Sequence, residues 1–92
     1  MGGDVFKALG DPTRRQILQM LAQQGDLPAG EIAARFTATG PTISHHLATL
    51  KNAGLVLATR QGQTIIYSIN TTVFQDIMAW MYDFLGEGKT DE

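Results

Sequence analysis

Apolar residues recur every three or four positions through the first half of the chain, then every second position, then every three or four again. That order predicts helices, a strand pair and a final helix. Val5, Phe6 and Leu9 give a first helix of two turns, which Gly10 ends. Asp11-Pro12 restarts the chain as a helix, with Asp11 as N-cap and Pro12 at the first helical position, where a missing N–H costs nothing. Ile17, Leu18 and Leu21 carry this second helix to Gln24, and Gly25 stops it. Residues 26–30 read as an extended link. Pro28 and Ala29 open a third short helix from Glu31 to Phe36, with Ile32, Ala33 and Phe36 facing in. Residues 37–40 form a tight turn. Pro41 lies in the first turn of a fourth helix, whose apolar stripe is Ile43, Leu47 and Leu50 and which Gly54 ends.

The period then falls to two. Residues 55–60 and 63–69 are β-branched and aromatic runs on either side of Gln61-Gly62, the pattern of a hairpin with glycine at a turn position. Asn70 or Thr71 caps a last helix reaching Leu85, and residues 86–92 read as a frayed tail. The predicted fold is mainly α with a β-hairpin wing, in the order α-α-α-α-β-β-α, as one domain over residues 1–92 with its core in 4–85. Two short helices joined by a glycine-containing turn form a helix-turn-helix, whose second helix enters the DNA major groove.

Charge sharpens this picture. The formal net charge is −2, but no Asp or Glu occurs from Ile32 to Gln75, where Arg35, Lys51 and Arg60 fall. The middle is therefore a cationic module between acidic flanks, and local sign governs the approach of an anion. The polar side of the fourth helix carries Thr42, Ser44, His45, His46 and Thr49, with Lys51 near its end and no carboxylate. Short hydroxyls and imidazoles can approach base edges, and a helix N-terminus suits a phosphate. The candidate DNA-binding residues are Thr39, Pro41, Thr42, Ser44, His45, His46 and Lys51, with Arg60, Gln61 and Gln63 at the tip of the wing. For His46, local capping or packing is an equal alternative. Arg14-Arg15 is either a pair of phosphate contacts or a solvated face.

The last helix is apolar on nearly every side, through Val73, Phe74, Ile77, Met78, Trp80, Met81, Tyr82, Phe84 and Leu85. A surface helix of a monomer needs only one apolar face. The expected dimer seam is Phe74, Ile77, Met78, Trp80, Met81, Phe84 and Leu85, joined by Val5, Phe6 and Leu9 of the first helix. Closed two-fold symmetry would set two recognition helices about 34 Å apart on a palindromic site.

Several classes fall away. The chain has no cysteine, so disulfides, thiolate metal sites and thiol nucleophiles are excluded. The two histidines are adjacent, and on a helix they point about 100° apart, which is no chelate. No phosphate loop, paired carboxylates or nucleophile–base arrangement points to an enzyme. No cofactor is expected. No apolar run nears the roughly 20 residues that span a bilayer, and no basic run opens the chain as a signal peptide would, so a cytoplasmic protein is expected. The competing reading is a winged-helix module that docks a protein partner without reading DNA sequence.

The motifs "FKALGDPTRRQILQML", "GEIAARF", "GPTISHHLATLKNAGLV" and "RQGQTIIYSIN" resemble, in order and spacing, the ArsR/SmtB winged-helix repressors. The resemblance covers about Val5 to Leu85 and is strongest to the SdpR-type autorepressors. It implies a homodimer on an imperfect palindrome that often represses its own operon. Carried over by position, it implies that Thr42, Ser44 and His45 approach bases and that Arg60 and Gln63 are wing contacts. Gly40 departs from the pattern, since many relatives place a longer polar residue there. Metal-sensing members use cysteines on the third helix or Asp/His pairs on the terminal helices. This chain has no cysteine, and its histidines lie only in the recognition helix. The resemblance therefore implies DNA binding without metal sensing, and leaves the inducer or protein partner unknown.

Overall fold

The computed structural model describes residues 3–86. The elements are α1 (Gly3–Leu9), α2 (Pro12–Gln24), β1 (Leu27–Pro28), α3 (Ala29–Ala33), α4 (Gly40–Asn52), β2 (Val56–Gln61), β3 (Thr64–Ile69) and α5 (Thr71–Leu85). Residues 87–92 of the expected tail lie outside the described residues.

Local chemistry sets most boundaries. The Asp11 carboxylate accepts a hydrogen bond from the Arg14 backbone N–H at 3.0 Å, and Pro12 opens α2 behind it. Gly25 ends that helix with a φ of 86°, a conformation that a Cβ would resist. Asn70 caps α5 by accepting from the Val73 N–H. The end of α4 is a Schellman motif. The Leu55 N–H reaches the Leu50 carbonyl, and the Gly54 N–H reaches that of Lys51. Leu50 and Leu55 are both fully buried, so both the helix end and the residue that leads into the wing are anchored in the core.

Strands β2 and β3 pair antiparallel from Val56 opposite Ile69 to Gln61 opposite Thr64. Gly62-Gln63 is the two-residue loop between them. Gly62 has a φ of 65° and no non-glycine residue among those described has positive φ, so the turn is of the II′ kind. At the other end Asn70 ties the wing to the body. Its backbone N–H donates to the Leu55 carbonyl and its side-chain amide to that of Gly54.

The link after α2 is more than a connection. Leu27 and Pro28 pair with Tyr67 and Ile66, giving a three-stranded sheet in the order β1-β3-β2 rather than a simple hairpin. The third helix also begins and ends earlier than the apolar pattern predicts. It stops at Ala33, and Phe36 packs half-buried against the core from the turn that follows.

The core joins all the elements except the tip of the wing. Ile17, Ile32, Ile43, Leu50 and Leu55 are fully enclosed, with Leu18, Leu21, Leu27, Leu47 and Val56 around them. Val5 and Ile77 belong to it too. Both were expected in a seam between chains, yet each is only 6% exposed within a single protomer. An apolar helix stripe fits its own core and a partner equally well, and here the inner edge of each terminal helix is needed to hold that helix to the body.

Helix α5 leaves the body beyond Ile77. Met81, Phe84 and Leu85 lie on the same side of the helix as Ile77, one or two turns later, and all are exposed. Phe6 of α1 packs against Trp80 at a ring-centroid distance of 5.6 Å, and Trp80 stacks on Phe84 at 5.4 Å. The two terminal helices thus share one exposed aromatic surface.

The cap of α2 gives a measurable acid response. The hydrogen bond from the Arg14 N–H, aided by the charge of the Arg14 guanidinium, outweighs desolvation and holds the Asp11 carboxyl below its usual range. A depressed folded-state pKa stabilises the fold above the unfolded value, about 3.9, and that stabilisation is lost as pH falls through the folded value. Asp11→Asn keeps the cap and should flatten the acid limb of a stability–pH curve below about pH 4. Asp11→Ala should lose about 1 kcal/mol at neutral pH in denaturant unfolding.

Candidate nucleic-acid interface

Helix α4 is the second helix of the helix-turn-helix. Its core stripe of Ile43, Leu47 and Leu50 packs it against the body, so the opposite side is turned outward. Pro41, Thr42, Ser44, His45, Ala48, Lys51 and Asn52 are all exposed there. At its start, the Thr39 and Thr42 hydroxyls lie 3.0 Å apart, and no side chain caps the helix. The first-turn N–H groups of Gly40 and Thr42 therefore point outward at the positive end of the helix dipole. Gly40 has open space where a side chain would stand, consistent with a shorter reach at this position.

At the wing, Arg60 opposes Ile65 and Gln61 opposes Thr64 across the ladder, so Arg60, Gln61 and Gln63 cluster at the exposed end of the hairpin. Leu57 is also exposed, an apolar side chain on the outer strand that charge patterning did not single out.

His46 differs from its neighbours. It is half-buried, and its Nδ1 lies 3.1 Å from an Arg14 Nη1. A guanidinium only donates, so Nδ1 accepts and the ring proton sits on Nε2. Asp11 Oδ2 is 3.8 Å from the same Nδ1, but with that nitrogen accepting from Arg14 the approach is not a hydrogen bond. This side chain faces the α1–α2 corner rather than the solvent.

Arg14 and Arg15 play a third part beside the two considered from sequence. Arg14 Nε donates to the Ala8 carbonyl at 2.8 Å and its Nη2 to that of Lys7 at 3.4 Å. Arg15 Nη1 donates to the Leu9 carbonyl at 2.8 Å. The pair closes the C-terminus of α1, where carbonyls lack partners and the dipole favours cations. A two-turn helix ending just before Asp-Pro-Thr-Arg-Arg carries that signal in its spacing. Arg35 is engaged as well, on Gln24 Oε1 at 2.8 Å.

The arrangement places a carboxylate-free helix face, an uncapped helix N-terminus and a polar hairpin tip on one molecule. Residues 11–57, from the cap of α2 through the recognition helix to the start of the wing, match the bacterial regulatory protein arsR family. The chain belongs to that family.

Its relatives extend the match over the rest of the chain. It is 51% identical over 88 residues to the transcriptional repressor SdpR of Bacillus subtilis, covering 96% of this chain and 97% of that one. The arsenic resistance transcriptional regulator ArsR2 of Pseudomonas putida is 35% identical, over 89% of this chain and 68% of its own. Among solved structures, an ArsR family transcriptional regulator superposes with a TM-score of 0.85 at 28% identity, covering 94% and 93% of the two chains. The homodimeric winged helix-turn-helix DNA-binding domain of a possible ArsR-family regulator from Mycobacterium bovis gives 0.72 at 34% identity, over 91% and 77%. The arsR-family chain is thus a winged helix-turn-helix transcriptional regulator, in a family of regulators rather than enzymes. No helix among the described residues is long and apolar enough to cross a membrane.

Proposed function

We propose that this chain is a cytoplasmic repressor that binds a palindromic operator as a homodimer, reads it through α4 and controls its own promoter without responding to metal. The observation that carries the reading is the outward side of α4, where hydroxyl, imidazole and amide groups stand with no carboxylate. Ser44 and His45 specify sequence, while Lys51 and Arg60 hold phosphates. Thr39, Pro41 and Thr42 set the first turn against the backbone, and Gln61 and Gln63 reach it from the wing. His46 positions α4 through Arg14 and does not touch a base. The seam is Phe6, Trp80, Met81, Phe84 and Leu85, with Met78 at its edge and Leu9 and Phe74, both partly buried, behind it.

Independence from metal is the expectation from the sequence, which has no cysteine and places both histidines in α4.

Fluorescence titration of the chain's own promoter fragment and a scrambled duplex, at several salt concentrations, tests the reading. Ser44→Ala or His45→Ala should cost roughly 1–3 kcal/mol on the specific duplex and little on the scrambled one. Arg60→Ala should weaken both alike. Micromolar zinc should leave the isotherms unchanged. Equal affinity of the wild type for both duplexes would favour the protein-docking module instead.

A further inference from the structure

A cleft of about 410 Å³ opens between α1 and the outward side of α4. Its walls carry Lys7, Arg14 and Asp4 on one side and His45, Thr49 and Asn52 on the other. Three of these, His45, Thr49 and Asn52, lie one above another along α4. None of the described carboxylates pairs with Lys7. The Lys7 carbonyl is used by Arg14 and Gly10, which fixes its backbone while its ammonium group stays exposed. Arg14 spends three of its five N–H donors on Ala8, Lys7 and His46, leaving two in the wall. The cleft thus has two cations, one carboxylate and three further side chains able to donate.

We infer that this cleft seats a phosphoryl oxyanion, with Lys7 as its principal ligand and Thr49 and Asn52 as donors. The inference rests on the reading of α4 as the helix that enters DNA. The major groove is about 12 Å wide and a helix with its side chains about 10–12 Å across, so a seated helix has a phosphate chain along each flank. The cleft lies along one flank of α4, and α1 presents Lys7 there. The oxyanion is a backbone phosphate of the operator, one per protomer. A free phosphate compound of similar size offers the same chemistry, and the two sources differ in what they do to DNA binding. Asp4 is the single carboxylate in the cleft, and it opposes the anion.

Lys7→Ala and Asp4→Asn can be compared with the wild type on the specific and scrambled duplexes across a salt series. Lys7 and Asp4 are exposed, so neither change disturbs the fold. Lys7→Ala should weaken both duplexes by the same factor and make the log–log salt dependence shallower by about 1.8 per dimer, two contacts at about 0.9 each. Asp4→Asn should tighten both. A second arm titrates inorganic pyrophosphate into DNA-free protein and follows the amide resonances of His45, Thr49 and Asn52. Shifts in the wild type that vanish in Lys7→Ala, with an unchanged DNA salt slope, assign the seat to a free phosphate. An unchanged slope together with unmoved resonances overturns the inference. Failure of the wild type to bind any duplex would sink the repressor reading instead, and the pyrophosphate arm would then decide the cleft alone.

Discussion

Met81→Asp should halve the mass of the protein in solution and weaken operator binding by roughly 10²–10⁴-fold, without touching a DNA contact. The reason lies in how α5 leaves the body. Ile77 is covered, yet Met81, Phe84 and Leu85 on the same side of the helix are open, at 43, 69 and 61% exposure. The helix has outrun its own core. A second copy related by a two-fold axis would cover that side, and a carboxylate at position 81 would then have to be desolvated against apolar groups. Trp80→Asp is a poorer probe, since Trp80 also packs on Phe6 within the chain. Sedimentation reads the mass, circular dichroism checks that the helices survive, and a fluorescence titration reads the operator. A Met81→Asp protein that remains dimeric and binds normally would place the seam elsewhere.

The second large effect belongs to Arg14. Its guanidinium links the C-terminus of α1 to His46 on the recognition helix through three hydrogen bonds. Arg14→Ala leaves the half-buried His46 Nδ1 and the Ala8 carbonyl without their donor. A charged donor lost in this way costs about 1.5–3 kcal/mol. In a domain this small, that lowers the melting temperature by on the order of 10 °C. Operator affinity should fall as well, because α4 loses its tie to the helix that flanks it. A double-mutant cycle with His46→Ala separates the two roles. A coupling energy of roughly 0.5–3 kcal/mol identifies a working pair, and additivity identifies independent residues.

Much of this architecture could be read from the chain because its punctuation is local. Asp11-Pro12, Gly25, Gly54 and the Gly62 turn act through their own backbones, and the elements they bound match expectation closely. The strand β1 was invisible for the opposite reason. Two residues, one of them proline, have no period, and their strand character comes from Ile66 and Tyr67 far along the chain. His46 shows the same limit at the site. Its polar character matches that of Ser44 and His45, and only the position of Arg14 turns it inward. Lys7 drew no attention because a lone lysine on a short helix looks like solvated surface until α4 is laid beside it. Val5 and Ile77 carry the lesson for apolar stripes: composition marks them as buried, and packing alone tells which chain buries them.

The uncovered end of α5 also bears on how repression responds to gene dosage. If each chain must find another before either grips DNA firmly, the amount of competent repressor at low abundance grows as the square of the number of copies. Silencing then switches on over a narrow range of expression instead of rising in proportion. A protein that shuts off its own promoter in this way would settle at a copy number set by the strength of the seam, so a mild change in α5 would reset the standing level of repressor in the cell.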